Sequence, residues 1–273
     1  MKSGPDLRQY LRQESMPNVW CPGCGHGSVM AALTRAFDNL QLDLDQTVVV
    51  GGIGCASRMP FFLNTNGMHT THGRALAFAT GVKLASPDLN VITVMGDGDA
   101  LSIGGNHLIH ACRRNIDLTA LILNNGIYGM TGGQLAPTTP QGFRSTTSSL
   151  GSIEVPFDAV DLALAAGATY VARTTTFDFE EIPALIETAI KHPGFALVEI
   201  LSQCPTYFGR LNRLGDGRAL LDYERDSTAP QEEITREQLV GRFSVGVFRE
   251  EIRPEYTRRY AALLERARRD GNA

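Results

Sequence analysis

The sequence predicts an α/β fold: a mostly parallel sheet with helices on both faces. Three observations lead there. Short runs of continuous apolar residues recur along the chain, as strands buried on both faces require. Segments of helical spacing separate these runs, the alternation of a parallel sheet with crossover helices. The runs at Thr47–Val50, Val91–Met95 and Leu118–Leu123 lead into glycine-rich polar segments, Gly51–Met59, Gly96–Ala100 and Asn124–Gly133. On such sheets ligands bind beyond the carboxyl ends of the strands, so these three segments are where chemistry is expected.

Residues 1–20 read as an irregular N-terminal segment. Gly27 to Leu40 is helical by spacing, with Val29, Leu33, Ala36, Phe37 and Leu40 on one side. The strand Thr47–Val50 follows and stops at Gly51-Gly52. A helix from Gly73 to Ala85 is closed by Ser86-Pro87. Then come the strand Val91–Met95, a helix from Leu101 to Arg114, and the strand Leu118–Leu123. Pro137 to Ser152, rich in Thr, Ser, Pro and Gly, reads as a long loop of the kind that carries function. The alternation resumes with a helix at Phe157–Ala166, a strand at Thr169–Ala172, a helix at Phe179–Ile190 and a strand at Phe195–Leu201. From Gln231 onward the composition shifts to nine Arg and eight acidic residues, which suggests a charged helical arm. The expected organisation is an N-terminal segment at 1–20, a ligand-binding domain at 21–215 and a C-terminal arm at 216–273.

Composition excludes several classes. The chain has 273 residues, 43% of them hydrophobic, enough for a sizeable core. A formal charge of −4 offers no basic field for nucleic acid. No apolar run approaches the roughly 20 residues of a membrane span, and Met1 to Asn18 lacks the apolar stretch of a signal peptide. The expected location is the cytoplasm, and five cysteines there point to metal or redox chemistry rather than disulfides.

Gly96-Asp97-Gly98-Asp99 directly follows a strand, and Asn124-Asn125-Gly126 follows the next, with Asn125 28 residues after Asp97. A hard cation such as Mg2+ takes oxygen ligands and keeps phosphate oxygens among them. Asp97 offers a carboxylate, Asn125 an amide oxygen, and the glycines allow the backbone close to phosphate at a helix start. Taken alone, the first motif also reads as a strand-to-helix turn with Asp97 as a cap. Together the two motifs resemble the thiamine diphosphate fingerprint. That resemblance implies that Asp97, the Asn125 side chain and the Ile127 carbonyl hold Mg2+, that Gly98 and Asp99 lie along the diphosphate, and that Asn124 is structural.

Cys21-Pro-Gly-Cys24 alone fits zinc as well as an iron–sulfur cluster. Cys55 and Cys204 each stand just past a strand, on the side of the sheet expected to carry the cofactor. A redox cluster has reason to be beside a cofactor; a structural zinc does not. Cys112 shares a helical stripe with Leu101, Gly105 and Leu108, a core face where a thiol packs as a small hydrophobe.

The combination resembles the beta subunit of the 2-oxoacid:ferredoxin oxidoreductases, and within them the 2-oxoglutarate branch. The resemblance rests on Trp20–His26, Gly52–Arg58, His72–Gly81, Gly96–His110 and Asn124–Gln134 and covers roughly residues 15 to 215. It implies a thiamine diphosphate-binding fold and one 4Fe–4S cluster on Cys21, Cys24, Cys55 and Cys204. It further implies cofactor contacts from Gly54, Cys55, Ser57, His72, Gly96, Asp97, Gly98, Asp99, Asn125, Ile127 and Gly129. The implied reaction is oxidative decarboxylation of 2-oxoglutarate, with coenzyme A as co-substrate and ferredoxin as acceptor, or the reverse carboxylation. The implied assembly is an α2β2 heterotetramer. Thiamine enzymes also need a Glu from a pyrimidine-binding domain. This chain has one sheet's worth of α/β units, so the Glu is expected on the alpha subunit and no residue here is assigned as catalytic base.

Two alternatives stay open at this point: a pyruvate or broad-specificity oxidoreductase, and a zinc-stabilised binding subunit with a vestigial cofactor site. Arg58 suits the diphosphate or a substrate carboxylate, and equally a structural salt bridge. His69 and His72 lack a third ligand nearby for a metal. His26 is expected behind the cysteines or at the surface.

Overall fold

A computed structural model describes residues 6–235 and 242–271. The ordered elements begin with α1 (Gly25–Leu40), β1 (Thr47–Gly51), β2 (Asn66–His69), α2 (Ala75–Ala85), β3 (Asn90–Gly96) and α3 (Gly105–Arg114). There follow β4 (Leu118–Asn124), β5 (Ile127–Tyr128), β6 (Gln134–Leu135), α4 (Ala159–Ala166), β7 (Tyr170–Thr175), α5 (Ile182–Lys191) and β8 (Phe195–Leu201). The chain ends with α6 (Gly217–Asp226), β9 (Thr228–Pro230), β10 (Phe243–Glu250) and α7 (Tyr256–Arg269).

Eight strands form one sheet in the order β2-β1-β3-β4-β8-β7-β10-β9. Every pairing from β2 to β7 is parallel, and β10 enters antiparallel to β7. Alternate residues of each central strand face opposite layers, as a pleated strand dictates. Val49, Leu121, Leu123 and Val198 pack beneath α1 and α5. Val50, Ala120, Ile122 and Leu197 pack beneath α2, α3 and α4, where Cys112 is fully buried as its helical stripe predicts. Both layers are apolar, so each central strand reads as a continuous hydrophobic run.

The structure departs from the sequence expectation in three places. The helix expected to run unbroken from Leu101 to Arg114 is a π-helical turn at Gly98–Ile103 that hands over to α3 through Gly104. A second π-helical turn, Pro205–Gly209, directly follows Cys204. Such widened turns recur at functional sites, and here both follow strand ends that carry site residues. The tail does carry a charged helix, α7, but β10 ahead of it completes the sheet. Arg249 stands across from Val171 and donates to the Leu164 and Ala168 carbonyls. The alternation Phe243-Ser-Val-Gly-Val-Phe248 is a strand signal masked by the charged residues around it. No helix among the described residues is long and apolar enough to cross a membrane.

An ion pair lies inside the sheet. Arg173 on β7 and Glu199 on β8 are register partners, each 1% exposed, joined at 2.6 Å.

Candidate cofactor and cluster site

The expected residues meet at the carboxyl edge of the sheet. A cavity there is lined by Gly54, Cys55, His72, Gly96, Asp97, Gly98, Asp99, Asn125, Ile127 and Gly129, and also by His26, Tyr128 and Met130. Four different strand ends and loops contribute, so the site exists only once the sheet has formed.

Asp97 is 2% exposed. Burial pushes its carboxyl up to about 6, against the pull of the Thr138 hydroxyl and of the backbone N–H groups of Asp97, Gly98 and Asn125. Thr138 Oγ1 donates to Asp97 Oδ2, and Thr139 Oγ1 donates to the Gly126 carbonyl at 2.6 Å. The long loop after β6 thus clamps both halves of the candidate metal site. Thr138 was missed in the sequence; its signal was the paired threonines between Pro137 and Pro140. At the other strand end the Asn125 side chain accepts from the Ile127 N–H at 3.2 Å. Asn124 turns the other way, donating to Glu199 at 2.8 Å and accepting from the Gly126 N–H at 3.0 Å.

Asp99 lines the cavity and is tied into its wall. Its Oδ1 accepts from His72 Nδ1 at 2.5 Å, from the Gly73 N–H at 2.6 Å and from the Ile53 N–H at 3.2 Å. Its Oδ2 accepts from Ser57 Oγ at 3.2 Å. Both oxygens are engaged, so Asp99 ties three loops together at the cavity wall instead of offering a free carboxylate. A β-carbon at position 52 would fall 2.0 Å from Asp99 Oδ2, which explains Gly52. Ser57, expected at the cofactor, is fully buried beneath the cavity and braces Asp99. Because the carboxylate can only accept, it fixes the proton on His72 Nδ1 and leaves Nε2 as the free ring nitrogen. Tyr128 donates its hydroxyl to the Gly98 carbonyl at 3.2 Å, and its ring occupies the space a side chain at 98 would need.

The four expected thiols face one another. Cys24 is pushed up to about 12 and Cys55 to about 11, first by burial and then by the charges of the other cysteines. Cys204 is raised by burial and by Cys21. A β-carbon at Gly129 would sit 3.7 Å from both the Cys55 and Cys204 sulfurs, so position 129 lies close to both. Yet no three His, Cys, Asp or Glu side chains among the described residues converge on a single-ion site. Zinc bonds of ~2.3 Å in a tetrahedron require sulfurs within about 4 Å of each other. Around them, the Trp20 indole donates to the Cys55 carbonyl at 2.7 Å, and the Gly25 N–H donates to the Gln203 carbonyl at 3.0 Å. His26 is buried behind the cysteines, its ring pushed down to about 4 by burial, not at the surface.

Arg58 does not line the cavity. Its guanidinium lies 5.5 Å over the Phe61 ring and makes no ion pair with a carboxylate among the described residues. Its charge reaches the cluster loop, where it pulls the Cys55 thiol down against burial.

Comparison with known proteins agrees with this geometry. The profile of the "Thiamine pyrophosphate enzyme, C-terminal TPP binding domain" family matches residues 52–200. The chain is 47% identical over 267 residues to a 2-oxoglutarate synthase subunit KorB of Archaeoglobus fulgidus, covering 98% of this chain and 97% of the relative. It is 44% identical to a protein of the same name from Methanocaldococcus jannaschii, covering 94% and 97%. A solved 2-oxoglutarate:ferredoxin oxidoreductase from Magnetococcus marinus, with 2-oxoglutarate, coenzyme A and succinyl-CoA bound, superposes with a TM-score of 0.86 at 36% identity, covering 97% of this chain and 91% of that one. The similarity runs through the tail, beyond the residue-215 limit expected from the motifs.

Proposed function

The chain belongs to the KorB family of 2-oxoglutarate synthase subunits, and on that premise we propose that it is the beta subunit of a 2-oxoglutarate:ferredoxin oxidoreductase. The complete enzyme converts 2-oxoglutarate and coenzyme A to succinyl-CoA and carbon dioxide, with ferredoxin taking the electrons, or runs the reverse carboxylation. One observation carries this reading: the Gly96–Asp99 loop, the Asn125 turn and four cysteines of one chain converge at one edge of one sheet.

The donor set fits a Mg2+–diphosphate group. Asp97 is a buried carboxylate whose stabilising partners are all hydrogen-bond donors, with no Lys or Arg among the described residues paired to it. A buried charge of that kind calls for a cation. Asp97, the Asn125 side chain and the Ile127 carbonyl would hold Mg2+, with the Gly98 backbone against the diphosphate. The cysteine set suits a 4Fe–4S cluster better than zinc, because Cys55 lines the same cavity as Asp97 and Asn125, and a redox group has reason to lie beside a cofactor where a structural ion does not. Cys21, Cys24, Cys55 and Cys204 would be its ligands. When bound, thiamine diphosphate supplies an electron sink for decarboxylation and the cluster supplies one-electron carriage.

The chain's own residues hold and orient. Asp99 fixes the His72 ring with Nε2 free at the cavity, where it can accept or donate one hydrogen bond to a bound group. The Thr138 and Thr139 clamps keep the two metal-binding turns in register. Residues 21–215 carry every proposed cofactor contact, and the C-terminal residues complete the sheet edge. The chain is one subunit of a multi-subunit enzyme. We place the pyrimidine-activating Glu and most coenzyme A contacts on the alpha subunit, in a cytoplasmic α2β2 assembly that docks ferredoxin.

The substrate assignment is tested by steady-state rates on the two-chain complex. Arg58, which pairs with no carboxylate among the described residues, is the cation we propose for the distal carboxylate of 2-oxoglutarate, although it stands outside the cavity lining of this chain. A pocket built for that group leaves its donors unpaired with pyruvate, which has a methyl there. We expect kcat/KM for 2-oxoglutarate to exceed that for pyruvate by ~10²-fold or more. Equal or better values for pyruvate would instead make this a pyruvate or broad-specificity enzyme. Discrimination that survives Arg58→Ala would remove the role of Arg58 alone.

A further inference from the structure

The buried ion pair inside the sheet is connected to the Asn125 turn. Glu199 Oε2 accepts from Arg173 Nε at 2.6 Å. Its other oxygen, Oε1, accepts from Asn124 Nδ2 at 2.8 Å. Asn124 Oδ1 then accepts from the Gly126 N–H at 3.0 Å, closing the turn that presents Asn125. An asparagine amide can sit either way round, and its partners decide which. A carboxylate only accepts, so Glu199 forces the NH2 of Asn124 towards itself and the oxygen towards Gly126. Glu199 is in turn held by Arg173, whose remaining donors reach Asp158 at 2.6 Å and the Ser244 carbonyl at 3.2 Å. The rings of Phe243 and Phe248 lie 5.4 and 5.8 Å from its guanidinium. A buried ion pair is a weak source of net stability, since desolvation offsets its attraction. What this one does is orient an amide.

We infer that Arg173 and Glu199 are positioning residues for the Mg2+–diphosphate site, aligning the Asn125 turn through Asn124, and that strand β10 acts on the cofactor site through Arg173. The inference deepens the function proposed above and rests on the Asn125 turn being a metal-binding turn. It also gives the C-terminal strand a part in cofactor binding although no residue of it lines the cavity.

The test is a double-mutant cycle on the assembled two-subunit complex, stripped of thiamine diphosphate. The Kd of thiamine diphosphate at saturating Mg2+ is read by calorimetry for Asn124→Ala, for Glu199→Gln and for the two combined. Both single changes remove the bond between Asn124 and Glu199, and Asn124→Ala also removes the bond from the Gly126 N–H, so each should weaken binding about tenfold or more. The double variant should be no weaker than the worse single, because interacting residues are non-additive. Absorbance of the cluster should stay at the wild-type level in all three. A pair that only stabilises the fold would lower Tm and leave Kd alone; unchanged Kd in either single variant, or losses that add to about a hundredfold, overturns the inference. If Glu199→Gln fails to fold, Arg173→Lys, which removes the guanidinium bond to Glu199, decides: weaker binding at wild-type cluster absorbance supports the relay and an unchanged Kd overturns it. Asp97→Ala is the control for the underlying reading. Should it bind normally, the metal-site assignment falls and the relay with it. Should it lose binding while the cycle shows no loss, the relay alone is wrong.

Discussion

Replacing Asp97 with alanine is expected to abolish measurable thiamine diphosphate binding in the assembled complex while leaving the cluster absorbance in place. Asp97 is the only charged ligand among the three proposed for Mg2+, the others being an amide and a carbonyl oxygen. Removing partners one step further from a metal already costs roughly 10- to 100-fold in affinity, and a direct charged ligand costs more. The Thr138 hydroxyl, which now donates to Asp97, would lose its acceptor as well. The cysteines lie on other loops, so iron content should not change. Calorimetry that returned a wild-type Kd would falsify the metal-site assignment.

Substituting Cys55 or Cys204 with alanine should remove the iron. These two sulfurs lie close to position 129, and the proposed cluster, left with three thiolates, would have one iron without a protein ligand. Loss of most of the iron, or its conversion to a smaller, unstable centre, is expected for Cys21, Cys24, Cys55 and Cys204 alike. Cys112→Ala should keep a full complement, because that thiol is buried among the helices on one face of the sheet and burial holds it protonated, at about 12. Metal analysis of the purified complex reads both outcomes. Full iron in Cys55→Ala would remove Cys55 from the ligand set, and iron loss from a folded Cys112→Ala protein would add a ligand where packing forbids one.

Most of the site was legible because parallel sheets write their chemistry at strand ends. The strands from Thr47, Val91, Leu118 and Phe195 are apolar on both faces, so their ends are marked by abrupt glycine and polar residues. Asp97, Asn125, Cys55 and Cys204 could all be placed from that rule. The contacts that brace them could not. The bond from Thr138 to Asp97 spans 41 positions, that from Ser57 to Asp99 spans 42, and that from Asn124 to Glu199 spans 75. None has a periodic signature. The bracing of Asp99 was hidden for the same reason: its motif is local, while its four donors come from Ile53, Ser57, His72 and Gly73. The strand β10 was hidden because a short alternating run set among charged residues looks, in composition, like a solvated arm.

On the function proposed, this chain carries the cofactor anchor and the electron acceptor and acts only with a partner supplying the pyrimidine-binding domain. The most direct test is cluster absorbance during a single addition of 2-oxoglutarate and coenzyme A, without oxygen, to protein loaded with thiamine diphosphate, Mg2+ and iron–sulfur cluster. In the two-chain complex the broad visible absorbance should bleach on addition of substrate and return when ferredoxin is added. In the chain alone, reconstituted in the same way, it should not change. Bleaching in the lone chain, or none in the complex, would contradict the account.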